Sequence, residues 1–370
     1  MDRGGRKGSM LREGFSTGAS AAAAAAAALE FLLGGKAPSG VEIPLLGPGR
    51  LCILVERCAA EQDGARVVVV KDAGDDPDAT HGAAISALVR FSPRAGARET
   101  LIDGGRGVGR VTLPGLPAAV GEAAINPGPR EQIRRAVAEV LARHGAQGEV
   151  RVLVEVENGE EIARKTLNPR LGIVGGVSIL GTTGVVRPLS HDAWKASVVQ
   201  SLNVAEALGL PEVCLATGRR SERMYLDHRP DVPEQGAVQA GDYFAFSLRA
   251  VAEMSFSTVW WSVFFGKFIK QAVGLESTHA KDGGLDMGWL ETLCREAGID
   301  GATRLRVEEA NTAAQALEML RPAPEFGRLL QLIADRWIQS ARSFAGATPG
   351  LGLLVFDFNG AVLVERSWTP

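Results

Sequence analysis

The sequence predicts an α/β protein of two domains: an α+β N-terminal half over 11–190 and a βαβ-type, Rossmann-like C-terminal half with a mostly parallel sheet over 191–370. Three observations predict it. The chain has 370 residues, enough for two hydrophobic cores. Before the glycine-rich stretch at 168–186, short β-branched runs divided by Gly, Pro and Asp dominate, as in a strand-rich unit. From about 190 onward, apolar runs at helical spacing alternate with compact strand-like runs, the rhythm of βαβ units.

In chain order, residues 1–10 read as a disordered tail. The alanine run from Ala21, continued by Leu29 and Phe31, imitates the apolar core of a signal peptide behind a basic start. Glu13 and "STGAS" break that order, and Glu30 ends the run short of the ~20 apolar residues a bilayer needs. A helix is expected instead, capped by Thr17 or Ser20 and built of the strongest helix former. "VEIPLL", "LCILVERCAA" and "ARVVVVKDAG" read as strands. "KDAGDDPDATHG" (71–82) reads as an Asp-rich turn opening a helix at "GAAISALVR"; its carboxylates and His81 match a cation loop only loosely, so no metal site is expected, and Asp76 and His81 are kept as ligand-contact candidates. "EAAINPGPREQI" (122–133) is a rigid helix start, where Asn126 and Arg130 would suit an anion. "REQIRRAVAEVLARHG" (130–145) has helical periodicity, and "EVRVLVEVENGEEI" is a strand turning at Asn158-Gly159.

"NPRLGIVGGVSILGTTGVV" (168–186) threads glycine through an apolar run. Two readings stand side by side: a buried strand pair turning at Gly175-Gly176 and again at Gly181, or a backbone surface that, with Thr182 and Thr183, faces a ligand.

In the C-terminal half, "HDAWKASVVQSLNVAEALG" and "GDYFAFSLRAVAEM" read as helices, and "EVCLATG" and "STVWWSVFFGK" as strands. Ligands of such sheets sit at the strands' carboxyl ends, which selects Thr217-Gly218 and Gly266-Lys267. Arg219, Arg220, Arg223, Lys267, Lys270 and Lys281 follow those strands and suggest a cationic rim; His279 is the nearest candidate base. "MGWLETLCREAG", "NTAAQALEML" and "EFGRLLQLIADRWIQSA" add helices, and "LGLLVFDFNGAVLVERS" a hairpin turning at Asn359-Gly360.

A net charge of −3, without an aromatic-studded basic stripe, argues against nucleic acid as a partner. The four cysteines form no CxxC, so structural thiols in a cytoplasmic protein are expected. GxSxG, the P-loop, HExxH and GxGxxG are all missing, which points away from a protein nucleophile and a protein-bound metal.

Taken together, "LREGFSTGASAAAAAAAA", "VVKDAGDDPDATHG", "GVGRVTLPGLPAAVGEAAINPGPREQI", "NGEEIARKTLNPRLGIVGGVSILGTTGVVRPLS", "GDYFAFSLRA" and "GKFIKQAVGLESTHAKDG" resemble the cobalt-precorrin-5B (C1)-methyltransferases of anaerobic cobalamin biosynthesis. They run through most of the chain in that family's order. The resemblance implies transfer of a methyl group from S-adenosyl-L-methionine to ring carbon C1 of a cobalt-bound tetrapyrrole, giving cobalt-precorrin-6A. The cobalt would arrive with the substrate. On this reading Thr217, Gly218, Gly266 and Lys267 bind the cofactor; Thr17, Gly18, Asp76, His81, Asn126, Thr182, Thr183, Gly184, Arg219 and Lys270 meet the substrate; and Thr183 and His279 are the candidates for a catalytic part. A membrane is not implied, and a homodimer is compatible with it. The chain departs from the family's pattern in three places. Val263-Phe264-Phe265 precede the Gly-Lys of 266–267 where the family carries Gly-His, Arg219 stands where it carries Asn, and Ser20 where it tends to carry Cys. The rival readings are a tetrapyrrole carrier without catalysis and a nucleotide-dependent oxidoreductase.

Overall fold

The computed structural model describes residues 11–281, 283–347 and 349–369; the tail predicted over 1–10 lies outside them. The chain divides into two compact units, Met1–Ser190 and His191–Pro370.

Unit 1 is built around helix α1 (Thr17–Gly34), whose residues from Thr17 to Leu29 are all buried. Alanine side chains keep the helix slim, so a second helix and a sheet can both approach it closely. The second helix is α2 (Pro127–Arg143), started by Pro127 and Pro129 in its first turn, where a missing N–H costs nothing. The sheet has five strands: β1 (Arg57–Glu61), β2 (Gly64–Val70), β3 (Ala84–Pro93), β4 (Arg98–Gly104) and β5 (Gly148–Val156), in the order β1-β2-β3-β5-β4. Only the β5–β4 pair is parallel. Val67, Val69, Ile85, Ala87, Val89, Val150, Val152 and Val154 meet α1 and α2 in one core.

Three local expectations need correction. The N-cap of α1 is Ser16, whose hydroxyl accepts from the Ala19 N–H; Thr17 is the first helical residue. "GAAISALVR" is not a helix but central strand β3, flanked by β2 and β5. Its alanines favour a helix, yet Ile85, Ala87 and Val89 form a period-2 buried row, and non-local pairing overrides the local preference. In the glycine-rich stretch, Ile173–Val174 and Gly176–Val177 do not pair with each other. The first pairs with Arg110–Val111, the second with Gly107–Val108.

Unit 2 carries strands β6 (Glu212–Ala216), β7 (Ala237–Gln239), β8 (Thr258–Phe264), β9 (Gly350–Phe356) and β10 (Val362–Trp368), in the order β7-β6-β8-β9-β10. The first four are parallel and β10 is antiparallel, returning from β9 through the turn at Asn359-Gly360, where Gly360 has φ 94°. Helix α3 (His191–Ala207) precedes β6, and α4 (Arg219–His228) joins β6 to β7. Helix α5 (Phe244–Ala252) joins β7 to β8. Between β8 and β9 come α6 (Phe265–Ala272), α7 (Met287–Ala297), α8 (Gly301–Glu308), α9 (Ala313–Leu320) and α10 (Phe326–Ala345). The strand expected over "STVWWSVFFGK" therefore stops at Phe264 and runs straight into α6.

Helix α4 covers one sheet face through Tyr225, with Cys214, Leu354 and Phe356 beneath. Helices α3, α5, α6 and α10 cover the other, around Phe244, Trp261 and Trp337. Phe244 meets Trp261 edge to face at 4.8 Å and 83°, the geometry aromatic pairs prefer.

Candidate functional site

The strand order places the reversal of unit 2 between β6 and β8. From β6 the chain moves one strand outward to β7; from β8 it moves the other way to β9. Two connections thus leave in opposite directions above the carboxyl ends of β6 and β8, the place where ligands of such sheets bind. Thr217 and Gly218 follow β6; Phe265, Gly266 and Lys267 follow β8.

Lys267 ties the two ends together. Its ammonium donates to the Thr217 carbonyl at 3.3 Å and meets Asp242 Oδ1 at 2.9 Å. Asp242 stands in the loop after β7 and accepts from the Thr278 hydroxyl at 2.6 Å, while the Thr278 N–H donates to the Asp242 carbonyl at 3.0 Å. Burial pulls the Asp242 carboxyl upward, but the Thr278 hydroxyl and the Lys267 ammonium outweigh it and hold the pKa below the ordinary value. Thr217 is pinned as well, its hydroxyl 3.2 Å from the Ser221 hydroxyl and its N–H on the Ser262 carbonyl. The loops after β6, β7 and β8 are locked into one rigid floor.

Gly218 is the opening in that floor. It is the N-cap of α4 and, having no side chain, leaves the helix's first N–H groups without a side-chain acceptor. Its backbone is extended (φ 160°, ψ 175°), and a Cβ added there would find no heavy atom within 4 Å. Gly266 differs: a Cβ there would come within 2.9 Å of Ala313 Cβ, so this glycine serves the approach of α6 to α9.

Of the other unit 2 candidates, Arg219 is exposed at the start of α4. Lys270, expected at substrate carboxylates, spends its ammonium on the Thr278 carbonyl (3.2 Å) and the Gly283 carbonyl (2.7 Å). His279 Nδ1 accepts the Lys281 N–H at 3.2 Å, so the ring staples its own loop. Asp242 escaped the sequence reading because β7 spans only three residues and Asp242 finds Lys267 only once three loops are folded together; Gly241-Asp242 at a strand end was the available signal.

Unit 1 gathers a second set. The segment 178–184 lies across the start of α1. Thr17 Oγ1 accepts the Leu180 N–H at 2.9 Å and approaches the Leu180 and Ser178 carbonyls at 3.2 and 3.4 Å. The Gly18 N–H donates to the Leu180 carbonyl, the Ser16 N–H to the Gly184 carbonyl, and the Asn126 N–H to the Ile179 carbonyl. Thr17, Gly18, Asn126, Thr182, Thr183 and Gly184 are therefore neighbours. Thr17 and Gly18, expected at the substrate, are buried and hold this strap in place. Asn126 is half-buried and makes no side-chain cap, while Thr182 and Thr183 are exposed.

Most glycines here answer to the protein's own chain. A Cβ on Gly176 would fall 2.1 Å from the Gly107 carbonyl oxygen, and one on Gly184 (φ 96°) 2.7 Å from Gln132 Nε2. The structural reading of this stretch accounts for both.

The Asp-rich loop is likewise held internally. Arg12 pairs with Asp72, Asp75 accepts the Arg12 N–H, and Asp76 accepts the Leu189 N–H at 2.9 Å. Asp78 meets the buried Lys71 at 2.6 Å, and His81 Nδ1 accepts the Ala73 N–H at 3.1 Å. Among the described residues no group of three His, Cys, Asp or Glu side chains is placed to hold a metal ion. Helix α1 is long and apolar enough to cross a membrane, but most of it is buried inside unit 1.

Unit 2 thus defines a class: a doubly wound α/β unit with a switch point between β6 and β8, in one chain with an α+β unit. The particular family follows from comparison. The CbiD family model matches residues 5–188, and the model of the CbiD C-terminal domain matches 277–367. The cobalt-precorrin-5B C(1)-methyltransferase of Nitratidesulfovibrio vulgaris is 51% identical over 98% of this chain and 94% of its own length. The enzymes of that name from Geobacillus kaustophilus and Thermus thermophilus are 43% and 44% identical, over 95% and 96% of this chain and 93% of their own lengths. A solved cobalamin biosynthesis protein (cbiD) from Archaeoglobus fulgidus is 28% identical, over 71% of this chain and 80% of its own, with a TM-score of 0.39. The chain belongs to the CbiD family.

Proposed function

We propose that this chain is a C-methyltransferase that uses S-adenosyl-L-methionine to methylate ring carbon C1 of cobalt-precorrin-5B in the cytoplasm. The reading is supported by the names of relatives that match nearly end to end, and by one structural observation above all. Gly218 leaves clear space at the switch point, where backbone N–H groups can meet a ligand.

When bound, S-adenosylmethionine supplies an electrophilic sulfonium methyl group, whose carbon–sulfur bond breaks as C1 donates an electron pair, leaving S-adenosylhomocysteine. The chain's part is position and exclusion of water. The open N–H groups of α4 hold polar groups of the donor, Thr217 shapes the strand end beside them, and Lys267, fixed by Asp242 and the Thr217 carbonyl, keeps the two strand ends at constant separation. Holding two reactants in line supplies about 7–11 kcal/mol of a barrier, enough for a transfer that needs no protein nucleophile. Arg219 faces solvent beside Gly218 and is suited to a substrate carboxylate. Taken by itself, unit 1 has Asn126, Thr182 and Thr183 as accessible polar groups, with Thr183 its candidate for a part in the reaction.

The test is incubation with cobalt-precorrin-5B and methyl-labelled S-adenosylmethionine, followed by mass and carbon NMR analysis of the tetrapyrrole. One labelled methyl group at C1 is expected. An unlabelled ring beside an active control enzyme would refute the reading.

A further inference from the structure

The carboxyl end of β8 carries a feature that the floor around Gly218 does not use. Phe264, the last residue of β8, and Phe358, two residues beyond β9, stack at 5.2 Å between centroids and 11° between planes. The Arg220 guanidinium, from the first turn of α4, lies 5.6 Å from the Phe264 centroid and 5.9 Å from that of Phe358, and donates to the Phe358 carbonyl. Phe358 is 46% exposed, unlike the buried Phe244, Phe265 and Phe268 of the same unit. A shallow notch opens beside it, bordered by Leu317, Glu318, Arg321, Asp357 and Asn359.

The turn does not need an aromatic residue at 358. Asp357 closes it alone: its carboxylate accepts the Asn359 and Ala361 N–H groups and pairs with Arg321 at 2.8 Å. What Phe358 adds is a flat apolar face on a rigid turn, next to two arginines.

We propose that Phe264, Phe358 and Arg220 form a ledge that binds a flat conjugated ring bearing carboxylates, the methyl acceptor, on the β8–β9 side of the switch point. Two features select this occupant over the adenine of the donor. Adenine carries no negative charge, whereas the exposed Arg220 sets a positive charge against the aromatic pair. The two rings also stand at the ends of β8 and β9, whereas Gly218 follows β6, which leaves the space at Gly218 to the donor. A stacked guanidinium keeps its hydrogen-bonding edge turned outward, so ring stacking and carboxylate pairing can occur together. The identity of the ring rests on the methyl-transfer reading; the existence of the ledge does not.

The test uses uroporphyrin, a flat tetrapyrrole with eight carboxylates, followed by fluorescence in physiological salt, with S-adenosylhomocysteine binding measured in parallel by calorimetry. Phe358→Ala is expected to weaken porphyrin binding about fivefold and Arg220→Ala about tenfold, with S-adenosylhomocysteine bound within about twofold of the unaltered chain. Arg220→Lys, which keeps the charge and loses the planar stack, is expected to fall between Arg220→Ala and the unaltered chain. Phe358 is exposed, so its truncation should leave the melting temperature in place. Porphyrin affinity unmoved by all three changes, no porphyrin binding by the unaltered chain, or a loss confined to S-adenosylhomocysteine would each overturn the ledge. Lack of S-adenosylhomocysteine binding by the unaltered chain would instead remove the methyl-transfer reading, while the porphyrin series still decides the ledge.

Discussion

Gly218→Ala separates a structural glycine from a ligand-facing one more cleanly than any other change at the switch point. The backbone at 218 is extended, a conformation alanine adopts without strain, and the added Cβ has no heavy atom within 4 Å. Two small effects on stability oppose each other. Restricting the unfolded chain stabilises by about 0.4–1 kcal/mol, and replacing glycine by alanine at an N-cap costs a similar amount. The melting temperature should therefore stay within a few degrees. A donor held against the N–H groups of α4 would instead have to retreat by about the radius of a methyl group, lengthening hydrogen bonds to groups that no side chain caps. Loss of one such bond to a charged group is worth about 1.5–3 kcal/mol, so S-adenosylhomocysteine affinity should fall about tenfold or more. Calorimetric titration beside a thermal melt provides the check. Unchanged affinity with an unchanged melt would refute the idea that a ligand approaches this backbone, and a large drop in melting temperature would show that the space is filled by the protein itself.

Other changes probe unit 1. Thr17→Val removes the hydroxyl that accepts the Leu180 N–H and should cost about 1–3 kcal/mol, seen as faster amide exchange across 178–184, while Thr17→Ser restores protection. Thr183→Val should melt near the unaltered chain, since Thr183 is exposed and its hydroxyl bonds only within its own turn to Val185, yet lose methyl transfer about tenfold in a turnover assay. The Arg12 guanidinium, followed by the Gly74 N–H, holds the Asp72 carboxyl down to about 2. A depressed carboxyl contributes stability that is complete above its unfolded value near ~3.9 and is lost as pH falls through about 2. NMR titration should find the Asp72 midpoint near the lower value and see it return toward the upper one in Arg12→Ala. Burial, followed by the Glu291 charge, pushes the Cys294 thiol up to about 12, so it should resist alkylation at neutral pH while exposed Cys52 reacts, as peptide mass analysis would show.

Periodicity revealed elements more readily than connections. The helical spacing of 130–145 and the closing hairpin at Asn359-Gly360 were legible because each is local. The alanine content of 83–89 pointed to a helix, and only pairing with 64–70 and 148–156 makes it a strand. The strand ends bearing Thr217-Gly218 and Gly266-Lys267 were legible from the alternation of elements. That the chain reverses direction between them depends on β7, three residues long and bonded to β6 from about twenty residues away. The glycines of 168–186 show the limit most sharply. Gly176 meets Gly107, and Gly184 meets Gln132, partners too far along the chain for sequence to pair them. The same letter at 218 faces open space. A glycine that admits a neighbouring strand and one that admits a ligand look alike until the fold is assembled.

The most direct test of the switch-point assignment is hydrogen–deuterium exchange of the full chain with and without S-adenosylhomocysteine. Protection concentrated in 217–221, 240–243 and 265–267 is expected, with the amides of 178–184 unchanged. Protection confined to 178–184, with the ends of β6 and β8 exchanging as before, would contradict the assignment and place the donor on unit 1.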